Sequence, residues 1–118
     1  MLALAGCGSS AKPPSTFTLA DNGRVVTLAT GDQAVIKLQT LNWGFQPIVG
    51  KAVKAVGDQQ LVRVKKGCTA PEGCGYVALT VKAVAHGRST ITASRGLCGE
   101  DFRCPPDQRN YTIGVVVR

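Results

Sequence analysis

His86 is the one histidine in a chain that also carries five cysteines and seven Asp or Glu side chains, and any reaction chemistry would have to be built from these groups. A nucleophile needs a base within hydrogen-bond reach and a third group to orient that base. His86 is followed by Gly87 at a turn signal. No Gly-x-Ser-x-Gly elbow, metal-binding His pair or phosphate-cradling glycine loop accompanies it. The acids are scattered, most of them beside turn glycines or between Cys98 and Cys104, so no carboxylate pair for general acid and base work stands out. The chain therefore reads as non-enzymatic, with no metal and no cofactor.

Of the cysteines, Cys7 stands apart, because Leu4-Ala5-Gly6-Cys7 follows a short apolar run and resembles the lipobox of bacterial lipoproteins. The resemblance implies cleavage before Cys7, a diacylglycerol on its thiol and acylation of its new amino group; more than one acyl chain is what makes such an anchor stable. Six residues are fewer than a complete signal needs, so the expectation is a true start further upstream or a trimmed N-terminus. Gly8, Ser9, Ser10, Lys12, Pro13 and Pro14 form the polar linker a tethered domain requires. Residues 1–15 are accordingly read as a signal remnant and linker, and 16–118 as one domain. The implied location is the bacterial cell envelope, on the outer face of the membrane.

Cys68, Cys74, Cys98 and Cys104 remain, an even number in a chain read as exported, which predicts two disulfides with three arithmetically allowed pairings. Cys68 with Cys74 and Cys98 with Cys104 are favoured, each closing a short Gly- or Pro-bearing loop. Such closure contributes about 2.4 kcal/mol per bridge in the chain-entropy picture. Five residues between partners is too many for a zinc ribbon and wrong for a Cys-x-x-Cys redox pair.

Fourteen Lys and Arg leave a net charge of +7. The densest positive stretch holds Lys51, Lys54, Arg63, Lys65 and Lys66, which could meet an acidic envelope polymer or lipid headgroups. The commoner role for such lysines is the solvated face of an edge strand. Nucleic acid is excluded as a partner, since the stretch lacks interleaved aromatics.

The elements that must position these groups are strands. Fourteen Gly, six Pro and a single Met, with many Val and Thr, favour strands and turns over helices. Residues 76–94 read as a central hairpin: Val77, Leu79, Val81 and Ala83 share one face, Ser89, Ile91 and Ala93 another, with His86-Gly87 at the turn. Ala34, Ile36 and Leu38 alternate in the same way, as do Tyr111, Ile113, Val115 and Val117. Val62 is expected to point inward and Arg63 outward. Trp43 and Phe45 suit the core of a sandwich, or, as the sharper alternative, an aromatic loop facing a partner. The prediction is an all-β, immunoglobulin-like antiparallel sandwich of seven to eight strands. No apolar run reaches the ~18 residues of a membrane-spanning helix, leaving lipid as the one membrane attachment implied.

Two families share this grammar. The run Val84-Ala85-His86-Gly87-Arg88-Ser89-Thr90-Ile91-Thr92-Ala93 resembles the closing signature of bacterial Ig-like domains, and Leu28-Ala29-Thr30-Gly31-Asp32-Gln33 is similar to their early strands. That resemblance implies a non-enzymatic surface module, structural or binding, for a protein or an anionic polymer. The second is to chagasin-type inhibitors of papain-like cysteine peptidases. Gly31-Asp32 and Asn42-Trp43-Gly44-Phe45 are similar to their Gly-Asp strand and first inhibitory loop, with Asn42, Gly44 and Phe45 matching. Their third loop begins at a position matched by Arg95, where this chain continues as Gly96-Leu97 instead of Pro-Trp. It implies that the loops 41–50, 67–75 and 95–109 cluster at one end, whereas a spacer would leave them unrelated.

Overall fold

The computed structural model describes residues 13–63, 75–96, 103–105 and 108–118. Within these, nine strands form: β1 Ser15–Phe17, β2 Val25–Leu28, β3 Gln33–Gln39, β4 Gly44–Phe45, β5 Val53–Ala55, β6 Gln60–Arg63, β7 Gly75–Ala83, β8 Gly87–Ser94 and β9 Asn110–Val117. One sheet runs β2-β9-β8-β4, the other β1-β3-β7-β5, with β6 also on β7. The fold is an all-β, immunoglobulin-like sandwich.

Period-two patterning supplies the core between the sheets. Ala34, Ile36 and Leu38 of β3 meet Val81, Leu79 and Val77 of β7 in register, and all six are buried. From the other sheet Ile91 and Ala93 of β8 pair with Ile113 and Tyr111 of β9 and complete the core cluster with Trp43, Val115 and Val117. The long strands β3 and β8 thus bury one face and leave the other to water or partly covered.

Three features differ from the sequence expectation. The hairpin over 76–94 does not form: β7 and β8 belong to different sheets, and residues 84–86 carry the chain across the sandwich. Alternation says which side chains share a face but is identical whether two strands pair or sit opposite each other across a core. The crossing is fixed by Val84 N–H and Ala85 N–H, which both donate to the Ala52 carbonyl at 2.8 and 3.2 Å, and by Gly87 at φ 133. A second clamp joins the sheets nearby, where buried Ser89 Oγ accepts from the N–H groups of Ala52 and Val53 at 3.0 and 3.1 Å.

The sandwich is also not wholly antiparallel, because β1 runs parallel to β3 and β2 parallel to β9. The first stretch of chain splits after the 3-10 turn Leu19–Asp21, whose Thr18 cap accepts from Ala20 N–H, and feeds both sheets. This split, and the interruption of the β7 edge into β5 and β6 by Gly57 at φ 77, raises the strand count above eight.

Finally, β6 has the opposite facing from that expected. Val62 pairs with Tyr76 on the outer face and Leu61 with Val77 on the inner one. Leu61 nevertheless remains 49% exposed, because the neighbouring edge of the facing sheet is the two-residue strand β4. An edge strand with a half-covered inner face gives the sequence no clean alternation to read.

Candidate functional site

The C-terminal end of β3, the N-terminal end of β7, the C-terminal end of β8 and the N-terminal end of β9 all lie at one end of the sandwich, as the β3–β7 and β8–β9 registers require. From this end spring the segment 40–43, the segment 64–74 and the segment 95–109. The whole of the second, and residues 97–102 and 106–107 of the third, lie outside the described residues, and so do Cys7, Cys68, Cys74, Cys98, Lys65 and Lys66. The bases of the segments are tied to one another.

Thr40 is the hub. Its N–H donates to the Gly75 carbonyl at 3.0 Å, joining the first segment to the second, and its Oγ1 accepts from Arg95 Nη1 at 3.4 Å, joining the first to the third. Thr40 is buried and adopts φ 84, the one positive φ of a non-glycine among the described residues. Such a conformation costs about 1–3 kcal/mol and persists where its surroundings hold it in place.

Arg95 does most of that holding. Its guanidinium lies 4.6 Å from the centroid of the Trp43 ring, a cation–π arrangement, and its Nε donates to the Gln108 carbonyl at 3.0 Å. Its N–H donates to the Arg109 carbonyl at 2.9 Å. Arg109 Nε in turn donates to the Cys104 carbonyl at 3.0 Å, and Cys104 N–H to the Gly96 carbonyl at 3.0 Å. Cys104 is buried and disulfide-bonded, with its partner outside the described residues. The described residues of the third segment, Arg95, Gly96, Cys104, Gln108 and Arg109, are therefore bound to one another, and Arg95 pins them to the first.

Trp43 sits below this network, buried, with its indole Nε1–H donating to the Gln39 carbonyl at 3.0 Å and its ring edge-to-face with Tyr111 at 6.5 Å. It supports the loop from inside and presents no surface to a partner. Phe45 is half-buried against the core; Gly44 and Phe45 pair with Ser94 and Ala93 of β8. Gln59 locks this short strand from the side, its Oε1 accepting from Phe45 N–H at 2.8 Å and its Nε2 donating to the Trp43 carbonyl at 3.3 Å. What the first segment exposes is its tip, with Asn42 exposed and Leu41 half-buried.

Tyr111 gives this end a pH signature. Burial, with a smaller contribution from the charge of Asp21, pushes its hydroxyl up from 10.0 to about 12, while the hydroxyl donates to the Thr18 carbonyl at 3.1 Å. A folded-state value above the unfolded one means that the stability is complete below pH ~10 and is lost as pH rises through ~12. Two units correspond to about 2–3 kcal/mol. Unfolding free energies from urea titrations at pH ~9 to ~12 should fall by this amount in the native chain, and that part of the alkaline loss should be absent in Tyr111→Phe.

The basic stretch is divided. Lys54 lies opposite Lys82 at the far end of β7, whereas Arg63 lies opposite Gly75 at the loop end. Lys51, Lys54 and Arg63 are all exposed. His86 is exposed in the crossing between the sheets, and among the described residues no group of three or more His, Cys, Asp or Glu side chains comes together to hold a metal.

The immunoglobulin-like sandwich has solved counterparts. It is similar to amebosin, at 17% identity over 91% of this chain and 100% of that one, with a TM-score of 0.62. It is likewise similar to the cysteine protease inhibitor EhICP2 from Entamoeba histolytica, at 16% identity over 88% of this chain and 95% of that one, with a TM-score of 0.63. At such identities the likeness is one of fold. No protein-family model matches the sequence, and no curated protein does.

Sequence reasoning picked out Asn42, Trp43, Gly44, Phe45 and Arg95, but not the groups that tie them together. Thr40, Gln59 and Gln108 carry no motif, and a threonine at positive φ has no sequence signal at all; Gly75 falls where the chagasin-type resemblance implies a Gly-rich second loop, near Gly73 to Gly75. Gly75, which follows Cys74, was the one with a usable sign, as a glycine opening a strand marks a close backbone approach.

Proposed function

We propose that this chain is an inhibitor of papain-like cysteine peptidases that blocks the substrate cleft with the loops at the Thr40 end of the sandwich. The observation that carries the reading is the tie between loop bases, from Gly75 to Thr40 to Arg95, which a passive spacer does not need. The fold shared with a solved cysteine protease inhibitor supports it, as do Asn42, Gly44 and Phe45, which match the first loop of chagasin-type inhibitors.

Rigidity is the physical reason such a loop inhibits. A segment held at both ends has little conformational freedom left to lose on binding, so more of its contact energy appears as affinity. Where chagasin-type inhibitors continue from the arginine as Pro-Trp, this chain turns Arg95 inward onto Trp43, and the aromatic reinforces the loop from below. Contact with the peptidase falls to Leu41, Asn42 and the outer parts of the second and third loops. With Cys7 lipidated, the inhibitor would stand on the outer face of a bacterial membrane and meet peptidases arriving from outside. The pairs Cys68 with Cys74 and Cys98 with Cys104 would brace its second and third loops.

Occupation of the cleft is tested at the peptidase's own nucleophile. Saturating amounts of the chain should slow alkylation of a papain-like enzyme's catalytic thiol by iodoacetamide at least about tenfold, a loss of accessible thiolate. An unchanged alkylation rate would show that the chain does not enter the cleft.

A further inference from the structure

The end of the sandwich opposite the loops carries a second surface. The β3–β7–β5 register places Gln33, Lys82 and Lys54 in one transverse row, adjoining the row in which Ser15 of β1 pairs with Ala34. Pro13 and Pro14, which lead into β1, therefore enter the domain at the same end as Lys54 and Lys82. Around that end stand Lys51, next to Ala52 at the crossing, and Arg118, whose N–H donates to the Leu28 carbonyl. All four basic residues are exposed.

Two points make this end more than a solvated edge. Lys54 and Lys82 are direct cross-strand partners, and like charges at that spacing repel unless an anion lies between or above them. Moreover, the outward positions of β3 and β7 offer them no carboxylate: they are Gln33, Val35, Lys37, Gln39, Tyr76, Ala78, Thr80 and Lys82. Asp32 is nearby in the chain, but its Oδ2 accepts from Ala29 N–H at 3.0 Å. The charge is thus directed outward, about 24 Å along β7 from the Gly75 end, given ~3.4 Å per residue.

The geometry points to a docking surface for an anionic lipid membrane, formed by Lys51, Lys54, Lys82 and Arg118 around the point where the N-terminal segment enters. With the N-terminal segment tethered to lipid, as the lipobox resemblance implies, the entry point favours a membrane over a soluble polyanion. A domain seated on this end keeps its N-terminal segment at the lipid surface and turns the Thr40 end away from it, toward the medium. Clustered Lys and Arg are attracted to anionic headgroups, and the attraction is screened by salt. This surface is independent of the inhibitory loops and needs no lipid on Cys7.

Cosedimentation of the full chain bearing Cys7→Ser isolates the protein's own contribution. Vesicles of phosphatidylcholine should leave it in solution, while vesicles with about a third phosphatidylglycerol should bind it, and binding should vanish on raising ionic strength from ~0.05 to ~0.5 M. Lys51→Gln, Lys54→Gln and Lys82→Gln together should weaken vesicle binding by about 100-fold, at roughly fivefold per lysine. Arg63→Gln, at the loop end, should leave it within about twofold. Circular dichroism confirms that each variant is folded. Absence of binding to the phosphatidylglycerol vesicles, equal binding by the triple variant, or an equal loss in Arg63→Gln would overturn the assignment. So would binding to soluble polyphosphate with none to vesicles.

Discussion

Trp43→Ala lowers the stability of the domain by about 3–5 kcal/mol, the range for removing a large aromatic from a packed core. The indole is buried, packs its edge against Tyr111, and supports the guanidinium of Arg95 from below. Its loss therefore removes apolar contact and leaves Arg95 without the ring that orients it toward Thr40. Urea denaturation gives the magnitude. Trp43→Phe separates the two roles, since it keeps a ring under Arg95 but deletes the hydrogen bond to the Gln39 carbonyl. That variant should lose about 1–2 kcal/mol and keep slow amide exchange at Thr40 and Arg95. Fast exchange at those two amides in an otherwise protected Trp43→Phe protein would show that the ring does not organise the loop base.

The second large effect is expected at Gly75. The residue sits at φ 138, and a Cβ built there collides with the Val62 carbonyl oxygen and lies 3.0 Å from Arg63 Cα. Gly75→Ala must either push β6 off β7 or shift the carbonyl that accepts from Thr40 N–H. Strained backbone and lost ladder bonds together amount to about 3–4 kcal/mol. Gly57→Ala provides the contrast. Gly57 also has positive φ, 77, but no atom lies within 4 Å of its Cβ position, so the cost is limited to backbone strain of about 1 kcal/mol. Equal destabilisation by the two substitutions, measured by urea melting, would remove the close approach of β6 and β7 as the explanation.

The sandwich was legible because its long strands bury one face completely. Ala34, Ile36 and Leu38, or Ser89, Ile91 and Ala93, alternate with exposed or partly exposed neighbours, and that alternation reads as a strand with one buried face. It could not disclose that Ala83 and Ser89 belong to different sheets, since a turn and a crossing have the same polarity pattern and both use glycine. Nor could it orient β6, an edge strand with both faces partly wet. At the site, aromatic and charged residues announced themselves through chemistry: Trp43 as a large ring, Arg95 as a cation in a family-like position. The contacts that make them a unit run through backbone carbonyls of Gln39, Gly75 and Gln108, which any residue supplies. A sequence therefore names the side chains of such a network and is silent on its acceptors. The basic residues illustrate the converse. Lys54 and Arg63 are near each other in the chain but lie at opposite ends of β7, while Lys82, distant in sequence, is the direct neighbour of Lys54.

The central claim, inhibition through the loop end, is tested most directly by steady-state assay of a papain-like cysteine peptidase against increasing concentrations of the folded chain. The account predicts inhibition competitive with substrate, with a micromolar or tighter constant, weakened about tenfold or more by Asn42→Arg at the exposed loop tip. The Lys51→Gln, Lys54→Gln, Lys82→Gln variant, altered at the other end, should inhibit as the native chain does. Absence of inhibition at ~100 μM, or inhibition that Asn42→Arg leaves untouched while the lysine variant abolishes it, would contradict the account.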